Sequence, residues 1–158
     1  MSGDYPLIES EWTEQRPNLP DRSDFFESDD DLDGRYAWKH FGNLNLAQAY
    51  ERFCENPHFY QEDFMSMGGK AFAFYFPVIE RYLFECTPKD DYDCKAWIIA
   101  EGIKIQLKSS TADAIKPLCE RLLSLTGHVL SKLEPLEPDE RARVQQAWTE
   151  LKSMLEDH

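Results

Sequence analysis

The sequence predicts an all-α fold: a single-domain bundle of five to six helices around a buried central helix, with an irregular acidic arm at the N-terminus. Three observations predict it. Apolar residues recur at three- and four-residue steps in several stretches, the period of a helix with one face in a core. No stretch alternates apolar and polar side chains as a half-buried strand does. Residues 71–84 carry apolar side chains in almost every direction, as a helix enclosed by others does.

The elements follow in order. Residues 1–35 contain Pro6, Pro17 and Pro20 and few apolar side chains, among them Leu7, Ile8, Trp12, Phe25 and Phe26. They read as an arm that docks by those side chains. Residues 36–41 are an aromatic patch before Gly42-Asn43, expected as a short strand or a packed loop. Asn45, with Gln48 three residues on, forms a capping-box pattern. The helix after it carries Leu46, Ala49, Tyr50, Phe53 and Cys54 and ends at Asn56-Pro57. A second, shorter helix is expected over 59–67, broken by Gly68-Gly69. The buried helix follows, with a kink or break expected at Pro77. A helix over 92–107 comes next. Ser110 and Asp113 stand at N-cap and N3 spacing, and Ile115, Leu118, Leu122, Leu125, Val129 and Leu133 form a helical stripe. Pro117 suggests an imperfect first turn. Pro138, followed by Asp139 and Glu140, marks the last N-terminus, and Val144, Trp148, Leu151 and Leu155 complete it.

The 158 residues fit one domain, divided into the arm (1–35) and a helical domain (36–158). Hydrophobic residues make up 42% and aromatics 13%, enough for a core. The net charge is −13, and it is unevenly spread. Residues 1–35 hold 11 acids and 3 bases, a net of −8; residues 36–158 hold 19 acids and 14 bases, a net of −5. Such a surface disfavours nucleic acid and anionic lipid, and leaves a basic protein partner, a cation or simple solubility. Cys54, Cys86, Cys94 and Cys119 form no CxxC pair and no zinc spacing. No basic-then-apolar leader opens the chain, and no run approaches the ~20 apolar residues of a membrane span. The expected setting is a reducing cytoplasm with free thiols.

The sharpest local pattern is Asp29-Asp30-Asp31-Leu32-Asp33-Gly34. Carboxylates at Asp29, Asp31 and Asp33 followed by glycine open a calcium loop of the EF-hand kind, whose hard oxygen ligands suit the ion. The pattern then departs: the twelfth position is His40, where a bidentate glutamate belongs. Calcium is the one cofactor the sequence raises. Glu62 and Asp63 are an acidic pair with acid–base potential, but neighbours on a helix point about 100° apart and do not converge. His40, His58, His128 and His158 form no HExxH motif. No GxSxG elbow and no P-loop occurs. No catalytic residue is assigned. An enzyme built on His40 or His58 with a nearby carboxylate stays as an alternative. The aromatic run Phe72, Phe74, Tyr75 and Phe76 reads as core.

The segment that begins Tyr60-Gln61-Glu62-Asp63 and continues through Met67-Gly68-Gly69-Lys70-Ala71-Phe72 to Tyr75-Phe76-Pro77 resembles a pattern in small bacterial helical proteins of unknown function. Ile115-Lys116-Pro117-Leu118 and the two C-terminal helices are also similar, so the resemblance spans about 36–155. It implies a helical domain. Small acidic proteins of this kind resemble immunity proteins that neutralise toxins delivered between bacteria. The expected function is therefore a non-enzymatic binding protein, with Asp29, Asp30, Asp31, Asp33, Glu62 and Asp63 touching a basic toxin or effector. The alternatives are a calcium-binding module and an uncharacterised enzyme.

Overall fold

The computed structural model describes residues 5–15 and 18–157. Pro17 and His158 lie outside the described residues. Every regular element among those described is helical, which bears out the all-α reading.

The arm is less irregular than expected. It contains two single-turn helices, α1 (Glu9–Trp12) and α2 (Arg22–Phe25). Trp12, Phe25 and Phe26 are buried, whereas Leu7 and Ile8 face solvent. The Tyr5 hydroxyl donates to the Glu80 carboxylate at 2.7 Å. Glu80, itself buried, also accepts from Arg121. Arg81 lies 5.2 Å from the Trp12 ring centre, a cation–π contact that clamps α1.

Residues 36–41 are neither strand nor loop: they belong to helix α3 (Leu32–Phe41). The Asp31 side chain caps it by accepting from the Gly34 N–H at 2.9 Å. Gly34, Ala37 and Phe41 are buried, at steps of three and four residues. Asn43, with φ 68°, turns the chain out of α3. Asn45 then opens α4 (Leu46–Glu55) with both capping-box bonds, at 2.8 and 2.9 Å.

The single helix expected over 59–67 is two turns, α5 (Pro57–Tyr60) and α6 (Asp63–Ser66). Between them the buried Gln61 side chain accepts from the Lys95 N–H at 2.6 Å. This contact, 34 residues away in sequence, holds the intervening turn. Helix α7 (Gly69–Glu85) is the buried central element, and it runs through Pro77 without a break. Proline removes one internal hydrogen bond, and close packing on every side outweighs that cost. Phe72, Tyr75, Phe76 and Ile79 are fully buried, and the single Tyr75 hydroxyl proton is shared between the Phe41 and Leu44 carbonyls, 2.8 and 2.7 Å away.

Helix α8 (Ala96–Lys108) starts later than expected. The Asp93 carboxylate accepts from the Lys89 and Asp90 N–H groups, both at 3.0 Å, and this local turn occupies the segment read as a first helical turn. Ser110 caps nothing. Two 3₁₀ turns, Ala112–Ala114 and Lys116–Leu118, precede α9 (Cys119–Leu130). Helix α10 (Pro138–Glu156) begins where proline and acids place it. Its Trp148 is buried and donates to the Ala96 carbonyl at 2.9 Å. Helix α10 packs on both α8 and α9, and α8 also packs on α6; α2, α4 and α9 contact α7, and α3 rests on α6.

Candidate functional site

The site begins with α3. Its inner side carries Ala37 and Phe41; its outer side carries Leu32 and Tyr36, four residues apart and 59% and 52% exposed. Gly34 allows α3 to lie against the segment before it. A β-carbon there would meet Asp31 Oδ2 at 2.6 Å and Phe26 Cβ at 2.8 Å. The helix C-terminus is tied to α4 by Arg52, whose guanidinium donates to the His40 carbonyl at 2.6 Å.

His40 and Asp63 meet across the α3–α6 contact. His40 Nδ1 lies 2.7 Å from Asp63 Oδ2. With Nδ1 protonated and donating to the carboxylate, Nε2 is left as the accepting nitrogen. Burial raises the Asp63 carboxyl to about 6; the hydrogen bond and charge of His40 pull it down, and Glu62 and Asp33 push it up. Tyr36 stacks on the His40 ring at 6.3 Å, and Phe59 and Tyr60 approach it edge-on at 5.4 and 5.3 Å.

This pair lines a cleft of about 390 Å³, together with Asp33, Tyr36, Phe59, Glu62, Met65 and Ser66. Phe59 is 56% exposed. The cleft is acidic, with no lysine or arginine in its lining. A second cleft lies beyond Tyr36 and a third beyond Met65 and Ser66; the last is bordered by Ile105, also exposed. Leu32, Tyr36, Phe59 and Ile105 thus lie along three adjoining concavities. Residues 21–40 around them hold seven acids and three Lys or Arg.

The six residues read from the sequence as partner-binding separate into three groups. Asp33 and Glu62 are exposed and share the acidic cleft. Asp29 and Asp30 are exposed on the turn before α3, and Asp29 makes a 3.4 Å ion pair with Arg22. Asp31 and Asp63 are committed internally, one as helix cap and one as the partner of His40. The calcium reading meets the same geometry. Asp31 caps a helix and Asp33 stands in its first turn, so residues 32–40 do not wrap around an ion as a calcium loop does. Among the described residues, no three His, Cys, Asp or Glu side chains gather where they could hold a metal. Of the two histidines raised for an enzyme, His40 pairs with the Asp63 carboxylate, and His58 is exposed on α5. Leu32, Tyr36, Phe59 and Ile105 carried no functional expectation. A helical reading of 32–41 is the signal that reveals the first two, since it separates them from the buried Ala37 and Phe41.

Among the described residues, no helix is long and apolar enough to cross a membrane. A scan against protein-family models and comparisons with curated proteins and solved structures gave no match.

Proposed function

We propose that this chain is an acidic binding protein that captures a basic protein partner, in the manner of an immunity protein neutralising a toxin. The observation that carries the reading is one face where exposed Leu32, Tyr36, Phe59 and Ile105 border adjoining clefts inside an acidic surround. Clustered exposed apolar side chains mark interaction surfaces, and aromatic anchors carry most interface energy. Carboxylates at the rim steer a basic partner and speed encounter. Asp33 and Glu62 are the contact acids, with Asp29 and Asp30 as outer steering charges.

Affinity purification from the native host, followed by identification of the retained protein, tests this. Tyr36→Ala with Phe59→Ala is expected to weaken capture by more than roughly tenfold, as loss of a central anchor does. Retention unchanged by that pair, but lost on substituting an exposed acid of α10 such as Asp139, would move the interface elsewhere and overturn the reading.

One observation favours a second reading. The 2.7 Å His40–Asp63 pair lines a cleft, which is how a carboxylate orients an imidazole for general-base work. Among the described residues no hydroxyl or thiol is hydrogen-bonded to His40, so the pair lacks a nucleophile of its own. His40→Asn separates the readings: it abolishes a turnover and leaves capture of a partner in place.

A further inference from the structure

We propose that the cleft between α2 and α3 is a binding site for a small aromatic anion, a planar ring bearing a phosphate. The cleft holds about 410 Å³ and is lined by Arg22, Phe26, Leu32, Arg35, Tyr36, Trp38 and Lys39. The inference goes beyond the partner-binding reading: it shares Leu32 and Tyr36 with that face but rests on the cations of this cleft, not on the acidic cleft beside His40.

The argument starts from charge. Acids outnumber bases 30 to 17 in this chain, yet three bases line one concavity and no carboxylate does. Each base is available. Lys39 is exposed and makes no hydrogen bond or ion pair among the described residues. Arg35, one helical turn before it, donates only to the Asp29 carbonyl at 3.2 Å and has no carboxylate partner. Arg22 faces them from α2. Its ion pair with Asp29 is 3.4 Å long, with the two side chains 58% and 83% exposed, so an incoming anion exchanges it at little cost.

The apolar part of the lining sets the shape of the ligand. Phe26 is buried and Trp38 half-buried; Leu32 and Tyr36 stand exposed beside them. The Arg22 guanidinium lies 5.0 Å from the Phe26 ring centre, so one cation is already held against an aromatic face. A ring placed against these side chains puts a substituent within reach of guanidinium and ammonium donors, which bind phosphate through charge-assisted bonds. The volume suits a ring with one such group.

The protein's overall negative field opposes an anion, and the nearby cations attract it. Within one Debye length, about 8 Å at physiological salt, the nearby charges govern. Added salt therefore weakens binding at this site, whereas a site ruled by the net charge would bind anions better as salt rises.

Isothermal titration with phenyl phosphate, with inorganic phosphate and phenol as its two halves, tests the proposal on the full chain. Phenyl phosphate is expected to bind at least tenfold more tightly than either half. Arg35→Gln and Lys39→Gln are each expected to weaken it by roughly tenfold, the size of one charge-assisted hydrogen bond. Glu120→Gln, at an exposed position on α9, leaves it within twofold. Lys39→Gln keeps the test clean, since Lys39 supports no other group. A phosphotyrosyl peptide distinguishes sources: tighter binding than phenyl phosphate points to a phosphorylated protein segment, and equal or weaker binding to a free small molecule. The proposal is overturned if phenyl phosphate binds no better than inorganic phosphate, if both variants bind as the parent does, or if affinity rises with sodium chloride.

Discussion

Asp63 is the residue at which burial and charge conflict most directly. Its side chain is 11% exposed beside His40, and burial raises its carboxyl from 3.8 to about 6. A raised carboxyl favours the protonated form in the folded chain. The stability it contributes is full below the unfolded value and is lost as pH rises through about 6. Asp63→Asn keeps an oxygen that accepts from His40 and removes the titration. The urea midpoint of Asp63→Asn, relative to the parent, is therefore expected to climb between pH 4 and pH 7 and to level off above it. The same comparison in a His40→Asn background separates the carboxyl from the imidazole. Parallel pH curves for parent and variant would show that Asp63 does not titrate in this window. Little of the pair was legible in sequence. Asp63 and Glu62 are neighbours that read as one acidic surface, yet one is buried and the other exposed. What separates them is α3, supplied 23 residues earlier.

The elements were legible where their signals are local. Asn45 and Gln48 cap α4, and Pro138 with two acids opens α10, because those interactions close within one turn. The misreadings share a cause. Helix α3 was hidden because aromatics on both sides of it blur the helical period and because Gly34 and the acids resemble a loop. The α5–α6 break depends on Gln61 reaching Lys95, and α7 passes Pro77 because its neighbours enclose it. Two glycines test how far elements are fixed by such contacts. A β-carbon on Gly69, at the start of α7, would meet the Thr111 carbonyl oxygen at 2.4 Å; one on Gly127, within α9, meets nothing within 4 Å. Gly127→Ala is expected to stabilise by about 0.5–1 kcal/mol, the helix-propensity difference. Gly69→Ala is expected to destabilise by about 1–3 kcal/mol, because backbone must move. Denaturant melts of the two single variants check this. A destabilised Gly127→Ala would mean that the outer side of α9 is covered in solution.

At the scale of the molecule, charge is the property that composition fixes and folding cannot remove. Thirty acids against seventeen bases leave a net of −13, and the exposed ion pairs, such as Arg22–Asp29 and Lys116–Asp113, are each worth no more than about 1 kcal/mol. Salt screens attraction and repulsion alike. With so large an excess of one sign, repulsion is the greater quantity, and screening it favours the compact state. The melting temperature is therefore expected to rise with sodium chloride between low salt and ~0.3 M, by roughly 2–4 °C if screening is worth about 1 kcal/mol. Sodium chloride is the right salt, since sulfate and phosphate strengthen apolar burial by a separate route. Asp29→Asn with Asp30→Asn should reduce the gain, because both residues lie on the exposed turn before α3, where the acids are most crowded. A melting temperature that falls with sodium chloride would instead assign the larger weight to paired charges, among them the buried Glu80 with Arg121 and Lys104 between Glu101 and Glu150. The acidic surround of the α3 face would then cost the fold little, because paired charges offset its self-repulsion.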